Sequence, residues 1–231
     1  MSVRAIDVGT SWTASVLRLG LGLAATHAGK RPAKTLELYE FEGCPFCRKV
    51  REALTMLDLE AKILPCPKGG PNFRPEVVRR GGKALFPYLV DPNSDTEMYE
   101  SSAIVRYLYE RYGDRKAPLW LSTDITVPLG SIASLIRMGR GVRYRPARAP
   151  EAPLEMFGFE ASPYVRIARE TLCELEIPYL LRPVGKRSGG RGAFVERSGK
   201  MMVPWLSDPN TEVEMFESAD IRTYLLDTYA R

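Results

Sequence analysis

Residues 36–54, with the sequence LELYEFEGCPFCRKVREAL, decide the fold of this chain. The apolar residues Leu36 and Leu38, followed by Phe41, form an alternating segment that predicts a strand with one buried face. Gly43 then turns the chain, and Cys44-Pro45-Phe46-Cys47 follows. Beyond this motif, apolar residues at positions 50, 53, 54 and 57 have the spacing of one face of a helix. The first cysteine therefore stands where a helix begins.

A cysteine in that place is suited to thiol chemistry. Free backbone N–H groups and the helix dipole favour an anion there, which lowers the pKa of a thiol. Cys47 lies one turn further along, close enough to attack or pair with Cys44. The alternative is an inert pair of cysteines at a helix start. The two remaining cysteines, Cys66 and Cys173, are expected to have structural roles.

The overall composition argues against several other kinds of protein. A content of 45% hydrophobic and 26% charged residues is ordinary for a soluble globular protein. The net charge of +5 is modest and scattered, so no nucleic-acid partner is expected. Four cysteines and a single histidine, His27, supply only one close pair of ligands, so no metal is expected either.

The N-terminal segment predicts neither a secretion signal nor a membrane span. Asp7 falls early, no basic region precedes a long apolar core, and no run of about 18 apolar residues occurs. The apolar stretch 12–25 is expected to be a docked helix, with contact at a membrane surface as the alternative. A C-x-x-C pair in a reducing compartment is more often catalytic or redox-active, and we expect a cytoplasmic protein.

The chain repeats itself at a shift of about 118 residues. The matching segments keep their order along the chain: 14–20 with 133–139, 36–42 with 154–160, 44–48 with 162–166, 86–93 with 203–210, and 98–101 with 215–218. One domain has therefore been duplicated, and each copy has a leading helix of its own.

Each copy reads as βαβαββα after its leading helix. Alternating strands and helices favour a parallel pair of strands, and a hairpin around an Asp-Pro-Asn turn closes the sheet. The fold class is therefore α/β, with two tandem domains. We expect a leading segment at 1–34, a first unit at 35–117, a linker with a helix at 118–152, and a second unit at 153–231.

This combination of features resembles a known family. The βαβαββα order, the Cys-Pro-Phe-Cys motif, the proline of Phe86-Pro87 at a strand and Glu100-Ser101 before the last helix are similar to the thioredoxin-fold N-terminal domain of glutathione transferases and to glutaredoxins. The resemblance covers about 80 residues of each half. A second thioredoxin-like unit stands where a complete transferase has its helical domain, so the chain resembles tandem glutathione-transferase N-terminal-domain proteins.

The resemblance implies roles for the residues that match the motif. Cys44 corresponds to the nucleophilic cysteine that forms a mixed disulfide, and Cys47 to the resolving cysteine. Pro87 corresponds to the cis-proline, and the backbone of Phe86 would pair with the cysteinyl part of glutathione. Pro87 and its counterpart in the second unit, Pro204, also fit a purely structural cis turn.

Three further residues correspond to family residues that hold the two ends of the tripeptide glutathione. Glu100 and Ser101 would hold its γ-glutamyl end, where helix N-terminal N–H groups meet a carboxylate. Lys83 would lie near the glycine carboxylate. The alternative for Glu100-Ser101 is a helix cap without a ligand.

The second unit departs from the pattern at its cysteines. Ser162 replaces the first and Val165 the second, whereas Pro204, Glu217 and Ser218 remain. Serine hydrogen-bonds the glutathione thiolate in some glutathione transferases, so this unit is expected either to bind glutathione or, more in keeping with its losses, to be a scaffold.

The charged residues of the first helix are expected to be solvated. Arg48 and Arg51, with Arg79 and Arg80 further along, fit exposed faces, and Arg48 with Lys49 would add positive potential near Cys44.

These features together favour a glutathione-dependent thiol–disulfide oxidoreductase of glutaredoxin type. Its partners would be glutathione, as co-substrate, and a disulfide or glutathionylated protein. Two alternatives stay open: a non-catalytic, glutathione-binding or protein-interaction scaffold, and a glutathione transferase that acts through a dimer.

Overall fold

The computed structural model describes residues 9–11, 22–124 and 139–231. The predicted leading helices at 12–25 and 133–139 fall largely outside these ranges. Residues 22–25 are described, and they form a turn and an isolated bridge at Ala24, so the predicted helix does not extend to residue 25. The reason is local, because Gly22 adopts a φ of 78° that a helix does not allow.

The first unit has the predicted βαβαββα order. Its elements are β1 (Leu36–Glu40), α1 (Pro45–Leu57), β2 (Ala61–Pro65), α2 (Phe73–Gly81), β3 (Tyr88–Asp91), β4 (Thr96–Met98) and α3 (Ser101–Tyr112), and a short α4 (Leu119–Ser122) follows. Local sequence sets the helix ends. Pro45 opens α1, where a missing N–H costs nothing, and Gly82 ends α2 in a left-handed conformation with φ 80°.

The second unit repeats the same order. Its elements are β5 (Leu154–Gly158), α5 (Pro163–Glu174), β6 (Tyr179–Pro183), α6 (Arg191–Ser198), β7 (Trp205–Asp208), β8 (Val213–Phe216) and α7 (Ser218–Tyr229). None of the helices among the described residues is long and apolar enough to cross a membrane.

The two units share one sheet. The described strands run in the order β4-β3-β1-β2-β6-β5-β7-β8. Within each unit the first two strands are parallel and the last two form an antiparallel hairpin. The units join where β2 pairs antiparallel with β6, with Ala61 opposite Leu181 and Ile63 opposite Tyr179. This pairing buries a strand edge that each unit would otherwise expose, and the repeat pattern did not predict it.

A shared apolar core lies between the sheet and the helices. In α1 it takes up the predicted apolar face, including Val50, Leu54 and Leu57, all of which are buried. Buried residues of both units, such as Ile63 and Leu181, belong to this one cluster. The two copies therefore fold as a single packed body.

Each hairpin is anchored by a duplicated aspartate. Asp91 accepts hydrogen bonds from the Tyr107 and Tyr112 hydroxyls at 2.6 and 2.5 Å. Asp208 accepts the matching bonds from the Tyr224 and Tyr229 hydroxyls at 2.7 and 2.5 Å. Burial opposes ionisation of both aspartates, but these donors outweigh it and lower both pKa values.

A candidate thiol site and its duplicate

Cys44 is the N-cap residue of α1. Its backbone is extended, with φ −80° and ψ 121°, and its Sγ accepts the backbone N–H of Cys47 at 3.3 Å. The side chain is buried, with 4% of the residue exposed. The sulfur thus replaces the oxygen that usually caps a helix, and it faces the positive end of the helix dipole.

The two cysteines of the motif differ in acidity. A hydrogen bond from the Cys47 side chain lowers the pKa of Cys44, and the backbone N–H groups of Cys47 and Phe46 add to this effect against the cost of burial. Burial raises the pKa of Cys47 well above its usual value, and its hydrogen bond to Cys44 raises it further. Cys44 is therefore the more acidic thiol of the pair.

The Phe86-Pro87 peptide bond lies beside this sulfur. The bond is cis, and the Phe86 carbonyl oxygen is 4.0 Å from Cys44 Sγ. The Phe86 ring meets the Phe41 ring edge-on, with centroids 6.1 Å apart. The family resemblance implied this neighbourhood, and the structure brings Cys44, Cys47 and Phe86-Pro87 together.

Arg74 covers the aromatic side of the site. Its guanidinium lies 4.7 Å from the centroid of the Phe86 ring, and its Nε donates to the Cys66 and Pro67 carbonyls at 2.9 and 2.7 Å. Sequence reasoning missed this residue. Its counterpart Arg191 donates to the Val184 carbonyl at 3.0 Å, and this matching place in the repeat was the available signal.

Of the three residues predicted to hold the ends of glutathione, Glu100 and Ser101 lie at the start of α3, and Lys83 lies in the loop between α2 and β3. Glu100 precedes the helix with a φ of 69°, and Ser101 is buried. Lys83 is exposed, with its Nζ 4.9 Å from the centroid of the Tyr99 ring, and its carbonyl accepts the Tyr99 hydroxyl at 2.9 Å. Glu217 has nearly the same φ, 68°, so this backbone strain does not depend on the cysteines.

The second unit keeps the frame of the site without its sulfur. Ser162 Oγ accepts the Val165 N–H at 3.3 Å, the Val203-Pro204 bond is cis, and Ser218 is buried. Residues 9–11 cover the start of α5, where the buried Ser11 hydroxyl donates to the Pro163 carbonyl at 2.7 Å.

Cys66 and Cys173 are buried thiols. Cys66 donates to the Leu64 carbonyl at 3.4 Å and Cys173 to the Gly141 carbonyl at 3.2 Å. Burial raises both pKa values well above the usual range, which fits the expected structural roles.

The prediction of solvated arginines on α1 is wrong. Arg51 is buried and pairs with Glu160 of the second unit at 2.9 Å, with Glu42 at 3.2 Å, and with Glu40. Arg169 reciprocates, pairing with Glu42 at 2.9 Å and Glu160 at 2.8 Å. In each of these cross-unit pairs, an arginine of one unit contacts a glutamate of the other. The residue pattern of a single helix does not predict such contacts between units.

Arg48 belongs to the same buried network. It pairs with Glu160 at 3.1 Å. Lys49 is buried and donates to Asp124 at 3.0 Å and to Ser102 at 2.5 Å. Arg79 and Arg80, by contrast, pair with Glu76 on the surface of α2, as expected.

Two carboxylates of the network have opposite pKa shifts. Burial opposes ionisation of Glu160, but Arg169, Arg51 and Arg48 outweigh it and lower the pKa to about 2. Burial dominates at Glu40 and raises its pKa to about 7, in spite of Arg51. Among the described residues, no cluster of three His, Cys, Asp or Glu side chains is arranged to hold a metal ion.

Both units match one family in comparisons with known proteins. The family model for the glutathione S-transferase N-terminal domain matches residues 38–116 and 156–231, which together are more than half of the chain. No curated protein matches the chain. One solved structure with similarity is a glutathione transferase from Bombyx mori, at 25% identity over 37% of this chain, with a TM-score of 0.34. The match spans 39% of that protein's length.

Proposed function

Since this chain belongs to the glutathione S-transferase N-terminal domain family and carries that domain twice, we propose that it is a glutathione-dependent thiol–disulfide oxidoreductase with Cys44 as nucleophile. The observation that carries the proposal is the place of Cys44 Sγ, which caps a helix and lies 4.0 Å from the carbonyl of a cis-proline pair. Of the four cysteines, Cys44 is the one with a lowered pKa.

The first step is attack by the Cys44 thiolate on a protein–glutathione mixed disulfide. The new bond joins Cys44 to the glutathione sulfur, and the substrate sulfur leaves as a thiolate. A second glutathione thiolate then attacks the glutathione sulfur of the Cys44 adduct. Oxidised glutathione leaves, and the Cys44 thiolate is restored. Each turnover consumes one free glutathione, and the disulfide bond passes from the substrate protein to oxidised glutathione, which contains the glutathione released from the substrate and the free one.

We assign Cys47 to stabilising the thiolate, with glutathione as the resolving thiol. Cys47 is fully buried and its pKa is raised, so at neutral pH it is a protonated donor to Cys44 and a weak nucleophile. Phe86 and Pro87 would position the cysteinyl part of glutathione, and Glu100, Ser101 and Lys83 its two ends. The units 35–117 and 153–231 would be the working domain and its scaffold, with segments 1–34 and 118–152 leading into them.

The test is reduction of a glutathionylated peptide by glutathione, with the full chain and three single variants. We expect Cys44→Ser to lose at least about a hundredfold in rate, because the nucleophile is gone. Cys47→Ser keeps a side-chain hydrogen-bond donor to Cys44, so its rate should stay within about threefold of the wild-type rate. Cys173→Ser is the matched control, since it removes a buried thiol that is not part of the Cys-x-x-Cys motif and that contacts the Glu42 backbone at 3.4 Å.

The first step can be followed alone, by release of the peptide thiol in the absence of free glutathione. Its rate should reach half its maximum below about pH 8.5, the value for an ordinary thiol, because the pKa of Cys44 is lowered. Equal turnover by the wild type and Cys44→Ser would overturn the proposal. Binding of glutathione without turnover would instead identify a scaffold.

A further inference from the structure

The buried ion network is duplicated except at one position. The matched members fall in three pairs: Glu42 with Glu160, Arg48 with Arg166, and Arg51 with Arg169. Glu40 has no carboxylate partner in the repeat, because Gly158 stands at its place in the second unit. The unit that has the two thiols is thus also the unit that has the additional buried acid.

The space around this position shows where the Glu40 side chain is directed. A Cβ on Gly158 would lie 2.7 Å from both γ carbons of Val165. Val165 occupies the place that Cys47 has in the first unit. A side chain at this strand position therefore leaves the sheet toward the residue one turn into the next helix. Glu40 is directed toward Cys47 by the same geometry, and the smaller cysteine leaves room for it.

A chain of contacts then runs from the second unit to the thiols. Cys44, Cys47 and Arg51 are spaced i, i+3 and i+7, so they share one face of α1. Arg51 donates to Glu40, which is buried with 1% exposed, and to Glu160 at 2.9 Å. The second unit therefore helps to hold Arg51, and Arg51 holds Glu40 beside the motif.

We propose that Glu40 is a positioning residue for the thiol pair, held in place by the second unit through Arg51 and Glu160, and that its charge opposes formation of the Cys44 thiolate. The proposal rests on the proposed function and adds a controlling group to that site. Two negative charges in a buried region repel each other, so an ionised Glu40 disfavours an ionised Cys44.

The charged and titratable groups around Glu40 come from every element packed against it. They are Cys44, Cys47 and Arg51 of α1, Glu42 after β1, Cys66 after β2, Glu160 after β5, Arg169 and Cys173 of α5, and Tyr179 of β6. Because burial raises the pKa of Glu40 to about 7, the carboxyl gains its charge as the pH passes through the neutral range. The charge of Glu40 then opposes formation of the Cys44 thiolate above neutral pH and is absent below it.

The experiment measures alkylation of Cys44 by iodoacetamide against pH, with the modified peptide quantified by mass spectrometry. Glu40→Gln should move the midpoint of this profile to lower pH by about half a unit or more, since it removes a nearby like charge. Glu37→Gln is the matched control, because Glu37 lies on the same strand but forms a surface pair with Lys62 at 3.8 Å. Its profile should coincide with that of the wild type.

A second measurement needs no change at Glu40, should that variant fail to fold. Coupling between two sites is reciprocal, so what Glu40 does to Cys44 must also act in the other direction. Carbon-13 NMR of labelled glutamate carboxyls should show one carboxyl that titrates in the neutral range. In the Cys44→Ser chain its midpoint should fall.

The proposal would be overturned if the alkylation profiles of the wild type and Glu40→Gln coincided. It would also be overturned if the midpoint of the carboxyl that titrates in the neutral range were the same in the wild type and in Cys44→Ser. Neither measurement uses glutathione or its turnover. The alkylation profile could therefore shift in Glu40→Gln although the wild-type chain does not reduce glutathionylated peptides. That result would contradict the proposed function and still support the role of Glu40.

Discussion

At the start of α1 in the first unit and α5 in the second, Cys44 and Ser162 accept a backbone N–H at the same distance of 3.3 Å. The helix cap is thus a property of the fold, and either a sulfur or an oxygen fills it. The cis-prolines, the strained glutamates and the hairpin aspartates are also present in both units. Features that are present in the unit without the Cys-x-x-Cys pair serve folding first.

Three of the positions at which the two units differ lie close together: Cys44, Cys47 and Glu40 in the first unit, against Ser162, Val165 and Gly158 in the second. The second unit replaces a polar, titratable set by one that does not titrate near neutral pH. The comparison separates what this fold needs from what a thiol site adds.

The largest effect should come from breaking the interface that joins the two units. Glu160→Ala leaves three buried arginines short of a partner, and we expect it to lower the free energy of unfolding by about 3–5 kcal/mol. Chemical denaturation at pH 7 measures this. Glu76→Ala, which breaks only surface pairs, is the control and should stay within about 0.5 kcal/mol of the wild type.

The same variant has a defined pH dependence. The pKa of Glu160 is lowered to about 2 in the folded chain, so its stabilisation is fully present above the unfolded value of 4.5. It is lost as the pH falls through 2. The gap between the wild type and Glu160→Ala should therefore narrow in acid, and a gap of constant size from pH 7 to pH 2 would contradict the role given to this ion network.

An intermediate effect should follow from adding a methyl group at Gly158. We expect Gly158→Ala to cost about 1–3 kcal/mol in the free energy of unfolding, because the new Cβ would lie 2.7 Å from Val165. Adding Val165→Ala should recover part of that loss by making room. If the free energy of unfolding does not recover in the double variant, position 158 does not pack against Val165 as described. The direction assigned to the Glu40 side chain would then be wrong as well.

The smallest effect should be a matched pair of losses in the two hairpins. Tyr112→Phe and Tyr229→Phe each remove one hydroxyl that donates to a hairpin aspartate at 2.5 Å. Each should cost about 1 kcal/mol, and the two costs should agree. Thermal unfolding measures both. Clearly unequal losses in the free energy of unfolding would show that the hairpins of the two units are not energetically equivalent.

The sequence alone predicted the duplicated βαβαββα units and the family. Local patterns sufficed, because the buried face of α1 and the cysteine at its N-terminus are set by spacing along one segment. The same spacing misjudged Arg48 and Arg51, which look like solvated residues until a second helix lies opposite them.

What the tertiary structure decided is how the two copies meet. The pairing of β2 with β6 brings Glu160 against Arg51, from units that no local pattern connects. Burial in that junction then sets the charge of Glu40, since the pKa of a carboxyl depends on the solvent and charges around it. Sequence determines which groups a chain carries, whereas packing determines which of them lose water and which face each other.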